Sequence, residues 1–397
     1  MLTSLALMFL VGMLLGSLFT RLRLPSLLGL LLTGILLGPF LLDLIDGSIL
    51  SISAQLRQLA LVIILTRAGL SLDLEDLRRV GRPAVLLCFV PACFEIAGMV
   101  LLAPRLLGVT VLEAAIMGSV VAAVSPAVVV PRMLRLMEEG YGTDKSIPQL
   151  LMAGASVDDV FVIVLFTSFT SLGTGGALSL WALLEIPISI VTGILAGGLA
   201  GWGFCRFCKR VHLRDSAKVL VLLSLSFLLV AAEQLLAHRL PFSGLLAVMA
   251  AGVAILRFYP PLAPRLSSKF SKLWVAAEVL LFVLVGATVN LQDAVRSGPR
   301  VLVLVGLALA ARMLGVLVCL LGTRLTGRER LFCMVAYIPK ATVQAAIGGI
   351  PLAMGLPCGE VILTVAVWSI LATAPLGALG VDLLYRRCLT KEAAPPA

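Results

Sequence analysis

The sequence has 397 residues, of which 60% are hydrophobic and 13% are charged. Soluble proteins carry about 25% charged residues, so no soluble fold of this size could bury so much apolar surface, and lipid must be one solvent of this chain. The net charge of +10 does not indicate nucleic-acid binding, because the basic residues lie in short loops between apolar segments, where membrane topology places them.

A helix that spans a bilayer needs about 20 mainly apolar residues, and the sequence predicts thirteen such spans. In chain order they are residues 2–20, 26–42, 56–72, 83–103, 109–136, 147–171, 179–204, 217–237, 242–258, 272–290, 299–323, 329–353 and 358–385. The loops after odd-numbered spans, counted together with the span ends that flank them, hold 23 Lys and Arg residues, and those after even-numbered spans hold five. Because Lys and Arg concentrate in cytoplasmic loops, we expect the N-terminus outside and the C-terminus in the cytoplasm.

Thirteen spans also predict an internal symmetry. Spans 1–6 (residues 1–172) and spans 8–13 (residues 210–388) form two repeats, with span 7 (residues 173–209) as a linker. Equivalent spans are seven apart, an odd number, so they run in opposite directions. The expected fold is therefore an all-α polytopic membrane protein built from two inverted six-helix repeats, an arrangement common in secondary transporters.

Six charged residues lie well inside predicted spans, where each costs about 2.5–3.5 kcal/mol if it faces lipid. They must therefore face protein or water and be paired. These residues are Arg67, Glu95, Asp158, Asp159, Arg312 and Lys340. Arg67 lies near the cytoplasmic end of span 3, and we expect it to pair with Asp73 or to extend its charge to the interface.

Asp158 and Asp159 are the most informative of these residues. They lie about 17 Å along span 6, at the membrane midplane. Neighbouring helical residues point about 100° apart, so one acid can be held by a protein cation while the other faces water. Burial and a neighbouring like charge both favour the protonated acid, which suits exchange of a proton for a metal cation. The alternative is two packing acids satisfied by buried bases.

Two prolines predict breaks at the same depth. Pro339 precedes Lys340 in span 12, and Pro126 follows Ser125 in span 5; each proline removes a backbone donor and disrupts the preceding turn. These are the fifth spans of the two repeats, and paired broken helices are the best sequence indication of a transport site. We expect them to cross at midplane, with the acids and Lys340 offsetting the helix dipoles. A simple kink is the alternative for either proline.

Glu95 and Arg312 lie in the middle of spans 4 and 11, the fourth span of each repeat. The proposed symmetry brings equivalent spans together, so we predict a salt bridge between them. Its role is either structural or part of ion selection.

Three stretches carry a family resemblance: Ala-Val-Ser-Pro-Ala-Val-Val-Val-Pro (123–131), Gly-Ala-Ser-Val-Asp-Asp (154–159) and Ile-Pro-Lys-Ala-Thr-Val-Gln-Ala-Ala (338–346). They resemble the monovalent cation:proton antiporter superfamily, and in particular its NHA branch. The resemblance implies a NhaA/NapA-like fold and a homodimer. It also implies elevator-type alternating access between a core domain (83–172 and 299–388) and a dimerisation domain (mainly 1–80 and 210–290). A compact chain without the longer N-terminal extension of animal members leads us to expect a bacterial inner-membrane protein.

The resemblance also implies residue roles. Asp159 would be the main ion and proton carrier, Asp158 the acid that pairs with Lys340, and Ser125 and Thr342 would line the site. Na+ or Li+ would bind transiently at Asp159 and Asp158, with no resident cofactor. Glu95 and Arg312 match an ion pair of the NHA branch.

The expected function is therefore exchange of cytoplasmic Na+ or Li+ for external protons. The runner-up is K+/H+ exchange or another ion-coupled symporter on the same fold. An anion substrate is disfavoured because two acids and one lysine leave a local charge of −1. An intramembrane aspartyl protease would need its two acids on different helices, so we expect a transporter rather than an enzyme.

Overall fold

A computed structural model describes residues 1–71, 81–173, 180–236 and 240–391. These residues are built from helices, with one isolated antiparallel bridge between Tyr141 and Lys391. The helices are α1 (Leu2–Arg21), α2 (Ser26–Leu37), α3 (Gly47–Ser51), α4 (Ser53–Leu70), α5 (Arg82–Leu87), α6 (Val90–Leu107), α7 (Val111–Val121), α8 (Pro126–Glu138), α9 (Ile147–Gly173), α10 (Leu180–Arg210), α11 (Asp215–Leu236), α12 (Gly244–Phe258), α13 (Ala263–Ala287), α14 (Leu291–Cys319), α15 (Gly327–Ala336), α16 (Thr342–Ile347), α17 (Ile350–Ala353) and α18 (Gly359–Cys388).

Nine helices of the described ranges are long and apolar enough to cross a membrane. Three shorter apolar stretches lie at Ser26–Leu37, Gly244–Phe258 and Thr342–Ala353. The protein is thus an all-helical, polytopic membrane protein. The count of thirteen spans and their inverted repeat stay predictions.

Several element boundaries differ from the predicted ones: α2 ends at Leu37 and α14 begins at Leu291, and two further differences have a physical reason. Predicted span 4 (83–103) is interrupted at Cys88 and Phe89, between α5 and α6. Pro91 lies in the first turn of α6 and provides no backbone N–H, which explains a new helix start at this point. Predicted span 10 (272–290) begins earlier, because α13 starts at Ala263. The helix continues beyond the apolar stretch because long basic side chains can extend from it to water.

One compact unit comprises Met1–Ser51, Asp73–Val162 and Phe282–Ala397. Within it α6 packs against α14, and glycines allow a close approach. A Cβ on Gly98 would lie 3.2 Å from the Cβ of Ala311, and one on Gly315 would lie 2.9 Å from the Cα of Pro91. Small residues at such contacts let membrane helices approach closely. Each glycine follows a charged residue, Glu95 or Arg312, by three positions, so the close contact lies beside that pair.

A second compact unit comprises Ile52–Leu72 and Ile163–Leu281. It also relies on glycine contacts: Gly69 of α4 and Gly252 of α12 face each other's backbone. The hydroxyl of Thr66 lies 3.4 Å from that of Ser226. Asp73, the predicted partner of Arg67, lies outside the described residues, as does part of the predicted linker (174–179). The division into core and dimerisation domains stays a prediction.

Candidate functional site

Two helix interruptions lie against each other in the first unit. α7 ends at Val121 and α8 begins at Pro126, whereas α15 ends at Ala336 and α16 begins at Thr342. Ser125 has extended backbone (φ −86°, ψ 111°), as expected for a residue that precedes proline. Its backbone N–H donates to the carbonyl of Pro339 over 2.8 Å. The helices are therefore discontinuous at both prolines singled out from the sequence, and the two breaks are joined by a hydrogen bond.

The carbonyls at the end of α7, which have no partner within the helix, accept hydrogen bonds from side chains of the other broken segment. Lys340 Nζ donates to Val121 O over 2.7 Å. Gln344 Nε2 donates to the same oxygen over 3.1 Å and to Ala123 O over 2.8 Å. A helix C-terminus leaves carbonyls without partners and carries partial negative charge. A cation and an amide donor therefore stabilise this broken end.

Glu95 and Arg312 form a buried ion pair between α6 and α14. Arg312 Nη1 lies 3.1 Å from Glu95 Oε2, and both side chains are 0% exposed. This is the contact that we predicted from their equivalent positions. Arg312 Nη1 also donates to the carbonyl of Ala122, so the pair reaches the interruption after α7.

The predicted ion pair between Asp158 and Lys340 is wrong. Asp158 Oδ2 instead lies 2.7 Å from Arg312 Nη2 and accepts the backbone N–H of Val124 over 2.8 Å. Lys340 Nζ lies 2.7 Å from Glu95 Oε1. The reason is geometric: Lys340 also contacts the end of α7, where Glu95 is within reach, while Asp158 points to the N–H groups that precede α8.

Asp159 differs from its neighbour in its contacts. It is partly exposed, and its Oδ1 is a buried atom without a hydrogen-bond partner. Further buried oxygens near the interruptions also lack a hydrogen-bond partner within the described part of the chain, among them Asp158 Oδ1, Ser125 Oγ and Gln344 Oε1. Thr342, also predicted to line the site, is the first residue of α16 and is buried. Oxygen atoms are the ligands that hard cations prefer.

Two residues of this region were missed by the sequence reasoning. Gln344 caps two carbonyls of the first interruption, and Tyr337 accepts a hydrogen bond from Arg312 Nε at its carbonyl over 3.2 Å. A search for charges inside apolar spans does not find neutral side chains. The signal that could have found Gln344 is an amide side chain four residues after Lys340, inside an otherwise apolar predicted span.

When all are ionised, Asp158, Asp159, Glu95, Arg312 and Lys340 leave one net negative charge. Four of the five are 0% exposed and are engaged with one another. The arrangement therefore combines a fixed charge network with one acid, Asp159, that has no ion-pair partner among the described residues. Chemically, this can hold a proton or a small cation.

Comparisons with known proteins agree with this description. A family profile described as "Sodium/hydrogen exchanger, transmembrane" matches residues 5–386. Sodium/hydrogen exchanger 9B2 from Mus musculus is 34% identical over 390 residues, covering 93% of this chain and 69% of that protein. Sodium/hydrogen exchanger 9B1 from Homo sapiens is 31% identical, covering 94% of this chain and 74% of that protein.

A solved structure shares the fold. The sodium proton antiporter MjNhaP1 from Methanocaldococcus jannaschii matches with a TM-score of 0.84 and 21% identity, over 97% of both chains. At this identity the likeness concerns the fold alone. The profile describes exchangers, and the relatives are exchangers, which are transporters and not enzymes. The chain belongs to the sodium/hydrogen exchanger family.

Proposed function

We propose that this protein exchanges cytoplasmic Na+, or Li+, for external protons, with Asp159 as the main carrier of both. Family membership supports cation/proton exchange. The observation that carries the residue assignment is the contrast between the two acids. Both acids have a buried Oδ1 without a partner, but Asp158 Oδ2 is held by Arg312 and Val124, whereas Asp159 has neither an ion pair nor a hydrogen bond within the described residues.

Exchange follows from competition at one carboxylate. An ionised Asp159 attracts a cation, and a protonated Asp159 does not, so binding of one ion releases the other. Asp158 Oδ1, Ser125 Oγ and Thr342 would supply further oxygen ligands. This matches the preference of hard cations for oxygen.

Glu95, Arg312 and Lys340 would hold the acids in place rather than carry ions. Breaking a buried ion pair by removing one partner costs about 3–5 kcal/mol, which makes these contacts a rigid frame. The net negative charge of the five groups favours a cation over an anion as substrate. K+/H+ exchange, or another ion-coupled symport on this fold, is the second candidate, since the oxygen ligands do not by themselves select Na+.

Transport assays on proteoliposomes test the proposal. A Na+ or Li+ gradient should drive proton movement in wild type, and Asp159→Asn should abolish it. Asp382→Asn is a matched control, because it also converts a carboxylate to an amide, in a half-buried pair with Arg132 at 3.5 Å. Exchange at the wild-type rate by Asp159→Asn would refute the assignment, and proton movement driven by K+ alone would favour the second candidate.

The transport mechanism that we propose is an elevator-type movement of residues 83–172 and 299–388, within a homodimer. The resemblance to cation:proton antiporters motivates this proposal. Spin-label distances between residues of the 83–172 segment and the 210–290 segment should change under an ion gradient. Unchanged distances would contradict the elevator, and monomers in native mass spectrometry would contradict the dimer.

Topology is the remaining part of the proposal. Thirteen spans in two inverted repeats, with the N-terminus outside, follow from the 23 and five basic residues in alternate loops. This topology can be tested by placing a single cysteine at one terminus or the other and adding a thiol reagent that cannot cross the membrane to one side. Labelling of both termini from the same side would exclude an odd number of spans. Assignment to the NHA branch and to a bacterial inner membrane stays a prediction; the relatives named above are mammalian.

A further inference from the structure

Tyr337 contacts Arg312 from two directions. Its side chain is 1% exposed and lies just before the interruption that carries Lys340. The guanidinium carbon of Arg312 is 5.5 Å from the centroid of the Tyr337 ring. A guanidinium over an aromatic face is attracted by the electron-rich ring. The Tyr337 carbonyl also accepts from Arg312 Nε over 3.2 Å, so both ring and backbone orient the guanidinium.

The orientation of Arg312 matters because two acids share it. Nη2 lies 2.7 Å from Asp158, and Nη1 lies 3.1 Å from Glu95. A long arginine side chain has much rotamer freedom to lose when it is fixed. Contacts that fix the guanidinium plane therefore decide how its charge and its hydrogen bonds are divided between the two acids.

Gly154 of α9 provides the space that the Tyr337 ring occupies. A Cβ at position 154 would collide with the Tyr337 hydroxyl and lie 2.9 Å from the Cβ of Leu87. Gly154 precedes Asp158 by four residues, so both lie on one face of α9. The Tyr337 hydroxyl is buried and has no hydrogen-bond partner among the described residues. Shape rather than hydroxyl bonding therefore holds the ring in place.

We propose that Tyr337 is a positioning residue of the ion site, which holds Arg312 against Asp158, and that Gly154 makes this placement possible. The inference rests on the proposed function, in which Asp158 and Asp159 bind the transported cation. When the ring is removed, Arg312 can reorient, and Asp158 Oδ1 no longer stays where it can share a cation with Asp159. The competing explanation is that Tyr337 only fills the hydrophobic core around it, which also contains Phe332.

The first test separates these explanations by the Na+ dependence of exchange in proteoliposomes. Tyr337→Leu should raise the apparent KM for Na+ by roughly twofold to thirtyfold, the range that cation–π energies imply. Phe332→Leu is the matched control, because it removes a fully buried ring from α15, the short helix that ends one residue before Tyr337. It should lower thermal stability without raising KM. Tyr337→Phe retains the ring and should retain the wild-type KM.

The second test uses the contact between Gly154 and Tyr337 and does not depend on the folding of Tyr337→Leu. Gly154→Ala should raise the KM for Na+, because the added methyl group displaces the ring. Gly154→Ala combined with Tyr337→Phe should lower it again in part, because removal of the hydroxyl makes space for the methyl group. The rescue is partial because Leu87 remains close.

The outcomes distinguish this inference from the proposed function. The inference is overturned if Tyr337→Leu and Phe332→Leu have the same KM for Na+, or if Tyr337→Phe does not improve Gly154→Ala. Either result would leave exchange by wild type and its loss in Asp159→Asn unaffected. Absence of exchange in wild type, or its persistence in Asp159→Asn, would instead refute the proposed function.

Discussion

The partner of Lys340 can be identified by removing charges singly and in pairs. The relevant variants are Lys340→Met, Glu95→Gln, Asp158→Asn and the two double variants that contain Lys340→Met. Lys340 Nζ lies 2.7 Å from Glu95 Oε1 and 2.8 Å from Oε2. Asp158 contacts Arg312 and Val124 instead. Double-mutant cycles should therefore couple Lys340 strongly to Glu95 and weakly to Asp158.

The distances set the size of the expected coupling between Glu95 and Lys340. Coulomb's law gives about 6 kcal/mol for unit charges 2.7 Å apart at an effective dielectric constant of about 20. Desolvation of both charges offsets much of this. Contacting residues show coupling energies of about 0.5–3 kcal/mol, and we expect about 2–3 kcal/mol here because both Glu95 oxygens face the ammonium. Lys340 and Asp158 should show less than about 1 kcal/mol.

The assay is thermal unfolding of the purified protein in detergent, followed by tryptophan fluorescence. Each single variant should be destabilised, because it leaves a buried charge without its partner. Coupling of Lys340 to Asp158 equal to or larger than its coupling to Glu95 would refute the pairing seen in the structure. It would restore the pairing expected from the sequence.

Three further predictions concern other parts of the chain. Gly197→Ala should destabilise the protein by about 1–3 kcal/mol, because its Cβ would collide with the backbone of α12; adjacent Gly198→Ala, which meets open space, should be neutral or stabilising in the same unfolding assay. Gln344→Leu should cost about 1–3 kcal/mol and should slow exchange, because it leaves the Ala123 carbonyl without its donor while Val121 O keeps Lys340; unchanged stability would contradict this. The hydroxyl and backbone N–H of Ser48 lower the pKa of Asp46 from 3.8 to about 2. Because the folded value is the lower one, the stability difference between wild type and Asp46→Asn should be present above about pH 4 and disappear as the pH falls to about 2; a difference that persists at pH 2 would contradict this.

The helical fold is largely readable from the sequence because lipid imposes a simple rule on it. Apolar length predicts helices, and proline predicts where they stop, as at Pro126 and Pro339. The rule is less precise at boundaries. Hydropathy did not show the interruption at Cys88 and Phe89, because both sides of it are equally apolar. Hydropathy also did not show that α13 starts as early as Ala263. The first residues of this helix are partly polar, and polar residues can lie at the membrane–water interface either in a helix or in a loop.

The sequence predicts which charged residues form the candidate site better than it predicts which of them form ion pairs. The cost of a charge inside lipid identifies Glu95, Asp158, Arg312 and Lys340 one by one. This energetic cost does not depend on where a side chain points, so it could not show which acid pairs with which base. Sequence adjacency placed Asp158 beside the carrier, but the contacts of Lys340 are decided by the broken end of α7, 219 residues away in the chain.

The observed pairing changes what cation binding must do at this site. If Lys340 were paired with Asp158, a cation that used Asp158 would have to displace an ammonium group. In the structure Lys340 is engaged by Glu95 and by the carbonyl of Val121, and Arg312 holds only Oδ2 of Asp158. The opposite oxygen, Oδ1, has no partner, and neither does Oδ1 of Asp159. Under the proposed function, a cation that takes either of these oxygens as a ligand breaks no buried ion pair, so the frame of Glu95, Arg312 and Lys340 stays intact through the exchange.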